Sequence, residues 1–170
     1  MSRKPQKSRR VALLDSFERF ALRDVGILIA TLGCWFAAPE SEFWQVTTGV
    51  LTGLCALLFH EWGHLYGAHR ADAKVLPAPG LWSPFLFDLD SRNNSSEQFV
   101  TTSVWGFYAT GAFLLVFLVA LPDGARATEV TWWIALVLAT LTVVIEFPIA
   151  WRVYRGRSIP PVEIFRRPRD

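Results

Sequence analysis

At 170 residues the chain is long enough for one domain, and 52% hydrophobic residues with eight tryptophans make it too apolar for an average soluble fold. A formal charge of +2 says little as a total, but Arg3, Lys4, Lys7, Arg9 and Arg10 open the chain and Arg152, Arg155, Arg157, Arg166, Arg167 and Arg169 close it. Beside long apolar runs, such clusters report the cytoplasmic side and attraction to anionic lipid, so the bilayer is an expected partner and nucleic acid is not.

In chain order, the basic start is followed by a mixed stretch, Ala12 to Arg23, before any long apolar run, so a cleaved signal peptide is not expected. Leu13, Leu14, Phe17, Phe20 and Ala21 recur there at helical spacing, which suits a short helix lying on the membrane surface. Four stretches then approach the roughly 20 apolar residues that a spanning helix needs: Asp24 to Ala38, Val46 to Ala68, Phe99 to Leu121 and Val130 to Trp151. Cys34 and Cys55 fall inside the first two without metal-like spacing, which argues against a disulfide framework. Turn chemistry at Pro39-Glu40-Ser41-Glu42 and at Pro122-Asp123-Gly124 separates the outer ends of the spans. Lysine and arginine near the span ends place both termini and the connection from Arg70 to Gln98 on the cytoplasmic side, as in a multi-pass protein of a bacterial cytoplasmic membrane.

That connection is not simply polar. Val75, Leu76, Leu81, Trp82, Phe85, Leu86 and Phe87 alternate with Pro77, Pro79, Gly80 and Pro84, so it is expected to touch the membrane and fold back over the helices. The expected fold is therefore an all-α membrane protein with about four transmembrane helices, an N-terminal interfacial helix and a membrane-associated loop between the second and third spans.

The chemistry lies in the second span. On a helix, His60 and His64 sit about 40° apart, so two imidazoles reach one tetrahedral ion while Glu61 lies beside them to activate water. Ionisable side chains at mid-span cost on the order of 2.5 to 3.5 kcal/mol each on insertion scales, and metal coordination offsets that cost. A helical wheel puts Gly49, Gly53, Ala56, Gly63 and Gly67 on one stripe with the histidines on or beside it, so the ligands face the bundle. Leu51, Leu54, Cys55, Leu58, Trp62 and Leu65 occupy the opposite, apolar face.

A catalytic zinc usually takes three protein ligands and keeps one open position. Glu146 is the expected third ligand. It precedes Arg152 by six residues, as His64 precedes Arg70, so both groups lie roughly 9 Å inside the same interface. Pro148 should loosen the backbone bond to Val144 and kink the helix beside the acid. Asp88 and Asp90 compete for the role from the connecting loop. His69 is one residue short of an extended three-histidine pattern, and on a continuous helix it points about 180° from His60.

The run from Phe59 to Val75, with His60-Glu61-Trp62-Gly63-His64 inside a span, resembles the zinc-binding helix of the site-2 protease family of intramembrane metalloproteases. The likeness implies Zn²⁺ on His60 and His64, Glu61 as general base, and the Val75 to Phe87 segment as a guide for an unwound substrate helix from a membrane protein or peptide. The family draws its third ligand from a Leu-Asp-Gly or Asn-Pro-Asp-Gly type sequence, which this chain lacks; Glu146-Phe147-Pro148 takes a comparable place. The implied division is a basic segment with its interfacial helix over 1–23, a four-span metalloprotease-like domain over 24–155 and a basic cytoplasmic tail over 156–170. A metal-holding adaptor or chaperone without catalysis is the alternative, whereas three histidines in all are too few for a di-iron hydroxylase.

Overall fold

A computed structural model describes residues 7–37 and 41–160, with side chains described from Phe17 onward. The early cations Arg3 and Lys4, the turn residues Pro39 and Glu40 and the tail from 161 lie outside the described residues. The described chain runs α1 (Lys7–Ala37), α2 (Glu42–Arg70), β1 (Val75–Pro77), β2 (Phe87–Leu89), α3 (Ser96–Ala120), α4 (Arg126–Leu141), a π-helical turn (Thr142–Glu146) and α5 (Phe147–Tyr154).

Among the described residues, four helical stretches are long and apolar enough to cross a membrane: Phe17–Ala37, Glu42–Arg70, Ser96–Ala120 and the continuous α4, π turn and α5 from Arg126 to Tyr154. Their outer faces suit hydrocarbon rather than water, since Phe36 and Val119 are each 86% exposed. The expected surface helix and first span are a single helix, because no glycine or proline interrupts helical spacing between Lys7 and Asp24.

The all-α expectation needs one correction. The connection between α2 and α3 contains an antiparallel two-stranded hairpin, pairing Val75 with Leu89, Leu76 with Asp88 and Pro77 with Phe87. Pro77 closes β1, where its missing N–H costs no further ladder bond. The hairpin lies over the middle of α1 and the C-terminal end of α2, where Phe20, Ala68, Ala78, Leu86 and Phe87 form one buried cluster. A second cluster, Cys55, Ala56, Phe113, Phe117 and Ala135, joins α2, α3 and α4 further along the bundle. Ser95 and Gln98 start α3 with reciprocal side-chain to backbone bonds. The turn before α4 closes at Gly124 with φ of +76°, which glycine adopts without strain.

The glycine stripe on α2 serves two partners. A Cβ on Gly49 or Gly53 would meet Val130 or Ile134 of α4, while one on Gly63 or Gly67 would meet Ala109 or Trp105 of α3. The opposite, apolar face of α2 is partly a packing surface, because Trp62 and Leu65 pack against the cluster of α1 and the hairpin and Cys55 is buried. A direct check compares two alanines. At Gly53 the new carbon would sit 2.6 Å from Ile134 Cγ2, whereas Gly33 on α1 has nothing within 4 Å. Gly53→Ala should cost about 1–3 kcal/mol of stability in detergent unfolding, and Gly33→Ala should cost nothing measurable.

Candidate metal centre

α2 carries His60 and His64 one turn apart, and α3 fixes both rings. The His64 Nδ1–H donates to the Thr102 carbonyl at 2.9 Å, and the His60 Nδ1–H donates to the Gly106 carbonyl at 3.1 Å and to Thr110 Oγ1 at 2.9 Å. Thr110 is free to accept because its own hydroxyl donates back to Gly106 O at 3.2 Å. Since a carbonyl can only accept, each neutral ring carries its proton on Nδ1 and presents a bare lone pair at Nε2.

These two Nε2 atoms are 2.9 Å apart. Each also lies 3.2 Å from one oxygen of Glu146, Oε1 for His60 and Oε2 for His64. Donor atoms of all three residues fall within 4.8 Å of one another. Two lone pairs and a carboxylate converging in this way repel one another unless a proton or a metal ion stands among them, and the hydrogen-bonded Nδ1 atoms are the outer support that metal-bound histidines ordinarily have. The donor set of two imidazoles and one carboxylate fits zinc and also other divalent first-row ions. His60, His64 and Glu146 can therefore hold a metal ion.

Glu146 reaches the histidines from the end of the π turn. Pro148, at the second position of α5, has no N–H to donate and crowds the carbonyl four residues back, at Val144. The wider turn accommodates both effects and rotates the acid relative to a regular helix. The expected kink thus takes the form of a π turn. With side-chain exposures of 4% for His60, 15% for His64 and 37% for Glu146, the cluster is open on the Glu146 side.

Glu61 is buried and stays out of the ligand group. One of its carboxylate oxygens accepts the Leu86 N–H of the hairpin at 3.3 Å. It is near enough to interact electrostatically with both histidines and Glu146. Asp88 and Asp90 do not join the cluster: Asp88 is buried within β2, and Asp90 accepts from the Arg92 N–H and from Asn93 Nδ2. His69 is exposed at the last turn of α2.

No family model, curated protein or solved structure matches the chain.

Three residues of α3 were not evident as site residues in the sequence. Thr102 and Gly106 act through backbone carbonyls, which any residue has, and Thr110 through a hydroxyl common in spans. Gly106 alone left a trace, because α3 reads Trp-Gly-Phe amid bulky residues. A Cβ on Gly106 would overlap the His64 ring itself. Gly106→Ala should push that imidazole aside and weaken metal affinity about 10- to 100-fold, the range for disturbing a ligand's outer support. Titrating the protein with zinc against a competing chelator checks this.

Proposed function

We propose that the protein is an intramembrane zinc metalloprotease that hydrolyses peptide bonds of membrane-spanning substrates, with His60, His64 and Glu146 as metal ligands and Glu61 as general base. The observation that carries the reading is the convergence of His60 Nε2 and His64 Nε2 on the Glu146 carboxylate, with a buried glutamate one residue along the same helix. In this reading the four apolar helices cross the bilayer, with the hairpin and both termini on the cytoplasmic side.

Bound among these ligands, the ion would supply Lewis acidity, polarising the scissile carbonyl and acidifying an attacking water. Glu61 takes a proton from that water and returns it to the leaving amine. The Leu86 N–H holds one Glu61 oxygen, which leaves the other available for the proton. Thr102, Gly106 and Thr110 hold the two rings in a single tautomer, so the lone pairs stay directed at the ion. Stacked Phe59 and Phe113, with centroids 4.4 Å apart, form an apolar wall one residue before His60.

One observation favours a second reading, a metal-holding adaptor without catalysis. The hairpin covers the base, since Leu86 is wholly buried where it meets Glu61. Reconstituted protein and a set of transmembrane peptides decide between them. Protease action requires cleavage that a chelator stops and added zinc restores. Metal-loaded protein that leaves the whole set intact would speak for the adaptor.

A further inference from the structure

Arg23 and Asp24 lie six and seven residues into the first apolar stretch, roughly 9 Å or more along the helix from Phe17. An arginine so placed ordinarily extends toward the interface and water. Arg23 instead turns to the hairpin. Its Nη1 donates to the carbonyls of Leu81 and, at 2.8 Å, of Ser83, while its Nε donates to Asp24 Oδ1 at 2.6 Å. Among the described residues its Nη2 is buried with no hydrogen-bond partner, so the placement carries a desolvation cost.

The other oxygen of Asp24 accepts the indole N–H of Trp62 at 2.8 Å, and Trp62 directly follows Glu61 on α2. From Leu81 and Ser83 the hairpin arm leads to Leu86, whose N–H is donated to Glu61. Ser83 stiffens this arm, donating to the Phe85 carbonyl and accepting its N–H. The contacts close a ring from Glu61 through Trp62, Asp24, Arg23 and the hairpin back to Glu61. Apolar packing of Phe20 with Ala68, Leu86 and Phe87 already joins α1 to α2 and the hairpin, so the charged pair is not needed merely to attach the helix.

We infer that Arg23 and Asp24 are positioning residues for Glu61: by holding the hairpin arm and Trp62 together, they keep the Leu86 N–H on the Glu61 carboxylate. The kinetic consequence rests on the proposed protease reading; the structural one does not. The full chain in detergent, unaltered and as Arg23→Gln, Arg23→Lys and Asp24→Asn, tests both. Amide hydrogen exchange at Leu86 should accelerate at least about tenfold in Arg23→Gln, with exchange across α2 and α3 and the metal content unchanged. Lysine, a point charge without the planar guanidinium fork, should restore only part of the protection. In Arg23→Gln and Asp24→Asn kcat should fall about 10- to 100-fold with KM held, part of the roughly 10²- to 10⁴-fold that a positioned general base contributes.

Unchanged Leu86 exchange in Arg23→Gln overturns the inference, and so does acceleration spread through the whole bundle. If glutamine prevents folding, Arg23→Lys and Asp24→Asn are read by the same criteria. Local acceleration in a protein that cleaves nothing supports the placement role and removes the protease reading. Unchanged exchange in an active enzyme does the reverse.

Discussion

Glu61→Gln is expected to keep its metal and lose about 10²- to 10⁴-fold in peptide hydrolysis, the usual contribution of a positioned general base. Glutamine has nearly the same shape and keeps an amide oxygen that can still accept the Leu86 N–H at the 3.3 Å contact. The ligands His60, His64 and Glu146 are untouched, and their supporting bonds come from α3 rather than from residue 61. What the amide cannot do is take a proton from water at neutral pH. The variant therefore separates catalysis from metal binding. Product formation and elemental analysis on one preparation supply the readout: hydrolysis undiminished would rule out Glu61 as base, and loss of the metal would make it a ligand instead.

The parts of this site legible in the sequence are those that a helix computes by itself. The four-residue spacing of His60 and His64 puts them on one face, and equal distances from Arg70 and Arg152 bring His64 and Glu146 to one depth. Pro148 signalled a departure from regular helix near the acid, although not that a π turn would result. Tertiary choices were hidden. The α2 glycine stripe looks uniform along the chain, yet Gly53 packs on α4 and Gly63 on α3, because which helix crosses at which height depends on the partners' side chains. The hairpin was hidden by its prolines, which weaken any strand pattern while permitting the short pairing of Val75–Pro77 with Phe87–Leu89. Arg23 and Asp24 read as the polar border of a first span beginning at residue 24. Only a helix continuing unbroken through them places the pair against Trp62 and the hairpin.

Removing the carboxylate should have the largest effect on the metal itself. Unaltered protein is expected to bind about one zinc per chain, as a three-ligand site with an open position does, and Glu146→Ala to retain little at the same free zinc. With alanine, two neutral imidazoles 2.9 Å apart remain, without the anion that balances the charge of a divalent ion at this depth. The affinity loss should exceed the roughly 100-fold upper figure for outer-support changes, since a ligand is removed rather than loosened. His64→Ala should behave alike. Glu146→Asp is the more discriminating variant: it keeps the charge but withdraws the oxygens by one methylene from contacts that are 3.2 Å on each side. Intermediate affinity for aspartate, between glutamate and alanine, is the result expected if the π turn has set the reach of this side chain to the ion. Full zinc in Glu146→Ala would move the third ligand elsewhere, with Asp88 and Asp90 the first carboxylates to replace next.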